Sequence, residues 1–203
     1  MRDDREQLLS ELEAHGREHD AALADRTQRL RNVERETAAA IAVLARALAA
    51  RRVLELGTSN GYSTIWLGDA AEATGGRVLS VDLDRERSGQ AAQNIARAGL
   101  AQIVELRIED AATTLAALEG ASADLIFLDA ERPDYVGYWP DLVRVLARPG
   151  LLLVDNATSH EAELAEFRAL VEGDERVLCS LLPLGAGVLA IAHDGTAAPS
   201  AAA

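Results

Sequence analysis

With 203 residues the chain is long enough for one domain with a substantial core, carrying 49% hydrophobic residues but only 3% aromatic ones. A net charge of −13 argues against a nucleic-acid partner, whose phosphates demand a basic footprint. All 20 basic residues are arginine, so lysine is excluded as a base or Schiff-base former anywhere in this sequence.

Residues 1–50 read as a helical extension, whose charged part is either a solvated cap or dimer arm or a cover for the active site. Leu8, Leu9, Leu12, Leu23, Leu30 and Val33 lie among charged residues, and Gly16 is expected to break the segment into two helices. Residues 38–50 are nearly all Ala, Leu, Ile and Val, the pattern of a helix buried against a sheet. From Arg52 the chain alternates. Strands are expected at 53–57, 77–82, 103–107, 124–129, 150–155, 176–182 and 187–193, and helices at 61–73, 85–98, 111–118, 135–147 and 160–172. Such alternation predicts a doubly wound, mostly parallel α/β sheet over residues 51–194. Only Pro183-Leu184-Gly185-Ala186 separates the last two strands, so these must form an antiparallel hairpin. Residues 195–203, rich in Ala, are expected to be a disordered tail. The single cysteine, Cys179, lies in an apolar run and reads as a buried structural thiol. With no partner for a disulfide, no signal peptide and no apolar stretch of ~20 residues, a cytoplasmic protein without a membrane partner is expected.

Three apolar runs end at polar residues: Val53-Leu54-Glu55-Leu56-Gly57, Leu125-Ile126-Phe127-Leu128-Asp129 and Leu151-Leu152-Leu153-Val154-Asp155-Asn156. Ligands of open α/β sheets bind outside the carboxyl ends of their strands. Gly57 and Gly61 allow a sharp turn that exposes backbone amides near a helix N-terminus, a place for a carboxylate or phosphate. The Gly-x-x-x-Gly spacing is not the dinucleotide fingerprint. Asp82, ending the second strand, is placed to accept ribose hydroxyls, whereas Asp84 reads as a helix cap. Asp129, Asp155 and Asn156 offer hard oxygen ligands from neighbouring strands, suited to magnesium, manganese or calcium; the alternative is that the two acids cap turns. His160 is either a first-turn residue of a surface helix or a proton acceptor near that cation. Tyr135, Tyr138 and Trp139 either wall an acceptor pocket or pack the helix that carries them.

The run Val53–Thr64, with its Gly61-Tyr62-Ser63 ending, resembles the first motif of class I S-adenosylmethionine-dependent methyltransferases, specifically the catechol and caffeoyl-CoA O-methyltransferase group. The likeness continues through Asp82, Ala123–Ala130, Arg148–Asn156 and Leu182–Gly185, and covers about residues 31–193. It implies a Rossmann-like methyltransferase sheet, S-adenosylmethionine as cofactor, a divalent cation such as magnesium, a small-molecule hydroxyl acceptor and a homodimer. It also implies that Val33, Gly57, Ser59, Gly61, Tyr62, Ser63, Asp82, Asp110 and Asp129 contact the cofactor. Within that set Gly57, Ser63 and the Val33 backbone fall at its methionine part, Asp82 at the ribose and Asp110 at the adenine. The resembled enzymes carry a basic lysine three residues after the first metal-binding Asp; here that position is Arg132. A guanidinium keeps its proton. Either the cation acidifies the acceptor and Arg132 stabilises the oxyanion, or another group such as His160 or Glu131 takes the proton, or the protein lacks this chemistry: a metal-independent methyltransferase of another small molecule or protein, or a non-catalytic cofactor-binding subunit.

Overall fold

In the computed structural model, which describes residues 1–25 and 28–194, the apolar runs become the strands of one sheet. They are β1 (Arg52–Leu56), β2 (Arg77–Asp82), β3 (Val104–Ile108), β4 (Ala123–Leu128), β5 (Leu146–Val154), β6 (Val177–Leu182) and β7 (Val188–His193). Their order is β3-β2-β1-β4-β5-β7-β6. The first five pair in parallel, and β7 runs antiparallel to both β5 and β6. This is the doubly wound sheet with a terminal hairpin that the sequence predicts. The expected tail over 195–203 lies outside the described residues.

Helices α1 (Asp3–Ala22), α2 (Arg35–Ala47), α3 (Tyr62–Thr74) and α4 (Arg85–Arg97) precede β3, and α5 (Ala111–Ala117), α6 (Tyr135–Val145) and α7 (Glu161–Glu172) follow it. Alternate residues of each central strand serve the two faces of the sheet. Val53, Leu125 and Phe127 join Leu9, Ile41, Ile65 and Ile95 in one core. Leu54, Leu56, Ile126 and Leu128 join Leu115, Trp139, Leu142 and Phe167 in the other. In the second core Phe167 meets Tyr135 and Trp139 edge-on at centroid distances of 5.6 and 5.7 Å.

Three local expectations change. Gly16 does not break the N-terminal segment: α1 runs unbroken to Ala22, and Gly16 is buried against Asn32, where a Cβ would meet the side-chain nitrogen at 2.6 Å. The lack of a side chain serves close packing there, and the chain leaves helical form only after Ala22. The helix expected over 135–147 stops at Val145, because residues Leu146–Arg148 already extend along β4 and Pro149 disfavours a helical residue before it. Cys179 is half-buried, since β6 is an edge strand covered on one side alone. No helix among the described residues is long and apolar enough to cross a membrane.

The N-terminal extension shares the first core through Leu8, Leu9 and Leu12. An ion pair fastens it. The fully buried Arg5 donates to Asp69 at 2.7 Å, to Glu72 at 2.6 Å and to the Ala98 carbonyl at 2.9 Å. We expect Arg5→Ala to lower unfolding free energy by about 3 kcal/mol, because it empties a buried site and takes from Asp69 the partner of its Oδ1, leaving Arg46 and the N-terminal amine on Oδ2. Urea titration measures this; a loss under about 1 kcal/mol would give the bridge no more weight than an exposed pair.

Candidate functional site

The sheet ladder itself places the site. Beyond the last residue of β1, Gly57 N–H donates to Val81 O at 2.9 Å. Asp129 N–H, just past β4, donates to Leu56 O at 2.9 Å, and Asp155 N–H, just past β5, to Leu128 O at 3.1 Å. Three strand ends are thus aligned by one run of backbone bonds, and a cavity opens above them.

Val33, Gly57, Ser59, Tyr62, Ser63, Asp82, Asp129, Arg132, Asn156 and His160 all line this cavity. Gly57 adopts φ +106°, and a Cβ there would sit 2.1 Å from the Asp129 carbonyl oxygen. Only glycine fits. Gly61, at φ +85°, is the N-cap residue just before α3 and faces Ala91 instead of the cavity. Asp82 accepts from the backbone N–H groups of Ser59 at 2.7 Å and Asp84 at 2.8 Å, one on each carboxylate oxygen. Each oxygen keeps a further lone pair, which fits a diol such as a ribose. Asp84 caps α4 as expected, accepting from Glu86 and Arg87. Asp110 likewise caps α5, accepting from Ala112 at 2.9 Å and Thr113 at 3.2 Å, while its neighbour Glu109 lines the cavity.

Asp129, Asp155 and Asn156 meet at one corner. The Asn156 amide nitrogen donates to Asp129 at 3.2 Å and to Asp155 at 3.0 Å. Asp155 is buried below the cavity wall, and its Oδ1 has no hydrogen-bond partner among the described residues. Burial pushes the Asp129 carboxyl up to about 6, against the pull of Arg31 and Arg132. Burial and the charge of Asp129 push Asp155 up to about 8. Two crowded carboxylates and an amide, with an orphaned buried oxygen, fit a hard divalent cation. Among the described residues no three His, Cys, Asp or Glu side chains cluster as a metal site. The Asn156 side-chain oxygen accepts from Ser159 Oγ at 3.2 Å. Asn156 itself has φ +63°, a conformation that asparagine tolerates.

Arg132 is nearly buried, and its Nε donates to Glu163 of α7 at 2.7 Å. The His160 ring nitrogen Nδ1 shares a 2.8 Å hydrogen bond with Ser159 Oγ. Tyr135 is a packing and positioning residue: its hydroxyl accepts from Ala130 N–H at 2.9 Å and donates to Ala130 O at 2.8 Å, pinning the chain after Asp129. Tyr138 lines the cavity, whereas the Trp139 indole donates to Asp174 at 3.0 Å.

Sequence reasoning missed what holds the cavity's outer wall. Asp20, at the end of α1, accepts from Leu30 N–H at 2.7 Å and Arg31 N–H at 2.9 Å, folding residues 30–33 over the glycine turn. Ser59 Oγ donates to Leu30 O at 3.1 Å, and Arg31 reaches Glu131 at 3.3 Å across the opening. The β6–β7 hairpin supports the opposite corner: Ala157 and Thr158 N–H donate to Gly187 O and Ala186 O at 2.8 and 2.9 Å. None of these pairs follows a local spacing rule, so no sequence signal marked them.

A family model described as O-methyltransferase matches residues 5–193. The catechol O-methyltransferase of Mycobacterium tuberculosis is 39% identical over 126 residues, 62% of this chain and 57% of that protein. That of Niastella koreensis is 42% identical over 115 residues, 55% of this chain and 51% of its own length. The chain thus matches little more than half of either relative. The O-methyltransferase TomG from Streptomyces achromogenes, involved in tomaymycin synthesis and solved in complex with SAM, aligns with a TM-score of 0.76 at 27% identity. The alignment covers 93% of this chain and 90% of TomG.

The close approach at Gly57 makes a direct test. Gly57→Ala should lower stability by about 3 kcal/mol, through strain at positive φ and the clash with the Asp129 carbonyl. Thermal denaturation reads this; an unchanged midpoint would show that the turn relaxes freely.

Proposed function

Since the chain belongs to the O-methyltransferase family, we propose that it transfers a methyl group from S-adenosylmethionine to a hydroxyl of a small catechol-like or phenolic acceptor, with help from a divalent cation, magnesium being the expected ion. The observation that carries this reading is the crowded pair Asp129 and Asp155, joined by Asn156, at the same cavity as the glycine turn and Asp82. Val33, Gly57, Ser59 and Ser63 would hold the methionine end of the cofactor and Asp82 its ribose. Gly61, Tyr62 and Asp110 would support that cradle, and Asp129, Asp155 and Asn156 would hold the cation. Bound there, cofactor and cation supply an electrophilic methyl group and a positive charge that acidifies a nearby hydroxyl.

The protein's own residues orient and neutralise. Arg132 cannot accept the acceptor's proton. Fixed by Glu163, it provides a permanent positive charge beside the acidic corner, suited to stabilising an oxyanion. The walls formed by residues 30–33 and Tyr138 limit water around the reacting groups.

Calorimetry with S-adenosylmethionine, with and without magnesium, tests the reading; no cofactor binding would end it. Asp82→Ala should weaken cofactor binding by about 1–3 kcal/mol, the worth of hydrogen bonds to a charged acceptor. Asp155→Ala should abolish magnesium-stimulated transfer to catechols while cofactor affinity stays within about tenfold, a change under ~1.4 kcal/mol. Full activity in EDTA would remove the cation from the reaction. For the proton, the rate should rise with pH along the acceptor's own ionisation, shifting to lower pH for a more acidic catechol. His160→Ala should leave that profile in place; its loss would make His160 the base.

A further inference from the structure

Glu55 interrupts the apolar run of β1 and is completely buried beneath the glycine turn. Its hydrogen-bond donors are three hydroxyls. Ser63 Oγ donates to Oε1 at 2.6 Å, while Thr64 Oγ1 and Ser80 Oγ donate to Oε2, both at 2.5 Å. Thr58 Oγ1 extends the chain, 2.6 Å from Ser80 Oγ. Thr64 and Ser80 are themselves buried, but Ser63 also lines the cavity.

A network built from hydroxyls can reverse, because each O–H rotates and each oxygen both donates and accepts. When Glu55 is ionised, the single Ser63 proton points inward, and Ser63 offers the cavity only lone pairs. When Glu55 is protonated, its own O–H donates to Ser63 Oγ, and the Ser63 proton is free to turn toward the cavity. A ligand carboxylate needs a donor; an ammonium needs an acceptor.

We propose that Glu55 is a proton-linked positioning residue, which takes up one proton when a ligand carboxylate docks against Ser63 and thereby converts Ser63 from acceptor to donor. The inference rests on the reading that the cavity holds the amino-acid end of the cofactor. No bond other than hydrogen bonds changes, and the proton comes from the buffer. The groups facing Glu55 are Ser63 and Thr64 from α3, Ser80 from β2 and, as the charge that acts on it, Asp129 beyond β4. No cationic side chain is among its hydrogen-bond donors. Burial pushes Glu55 up to about 7 against the three hydroxyls, with the charge of Asp129 adding to the rise, so both forms are accessible near neutrality.

Calorimetry of S-adenosylhomocysteine binding to the full chain, at about pH 8 in buffers of different ionisation enthalpy, counts the proton. The wild type should take up close to one proton per bound molecule, and the uptake should shrink as pH falls below about 7, where Glu55 is already protonated. Glu55→Gln, whose amide donates permanently, should still bind but lose that uptake. Ser63→Ala should lose it too while leaving Glu55 held by Thr64 and Ser80, which covers a failure of the glutamine variant to fold. Infrared difference spectra should show a protonated buried carboxyl appearing on binding in the wild type and absent from Glu55→Gln. Binding without proton uptake, or equal uptake in the wild type and Ser63→Ala, overturns the proposal. Absence of any binding by the wild type overturns the cofactor reading beneath it.

Discussion

Everything at this site hangs on a row of backbone hydrogen bonds that runs one residue past the strand ends. Val81 O holds Gly57, Leu56 O holds Asp129, and Leu128 O holds Asp155. Parallel pairing keeps β2, β1, β4 and β5 in a fixed stagger, so their ends form one edge. The same row forces the Asp129 carbonyl against Gly57, and that approach excludes any side chain at this turn. A glycine motif and an acidic residue more than seventy positions later are therefore one structural requirement.

The edge carries an electrostatic burden in return. Glu55, Asp129 and Asp155 are all buried or nearly so, and burial raises all three carboxyl groups above their ordinary range. Each is compensated in its own way. Glu55 has three hydroxyls, Asp129 has the field of Arg31 and Arg132, and Asp155 has the Asn156 amide on one oxygen, the other having no partner among the described residues. Uneven compensation of this sort marks groups retained for what they do, because apolar residues would pack the same space more stably.

Segments remote in sequence close the site around this edge. The end of α1 ties down residues 30–31 through Asp20, and the β6–β7 hairpin holds the loop after β5. The departure from an all-parallel sheet thus has a local use. An antiparallel turn brings Ala186 and Gly187 to the same end of the sheet as Asp155, where a further parallel crossover would not.

The sequence by itself determined the sheet, its hairpin and the residue types at its carboxyl edge. Apolar runs, breaker residues and loop lengths are local signals, and the ordered series from Val53 to Gly185 carried the family likeness. Residues such as Gly57, Ser59, Asp82, Asp129 and Asn156 could be named because each sits at the end of a readable run or within the turn that follows. What only the tertiary structure decided was the pairing of side chains across elements. Gly16 looked like a helix breaker because glycine has low helix propensity, yet packing against Asn32 overrides that preference. Cys179 looked buried because apolar neighbours surround it, but exposure depends on strand order, which places β6 at the edge. The hydroxyls on Glu55, the Glu163 partner of Arg132 and the Leu30 and Arg31 amides held by Asp20 lie 8 to 31 positions away in sequence. Such contacts follow from how helices and loops fold over the sheet, a global result that no local spacing encodes.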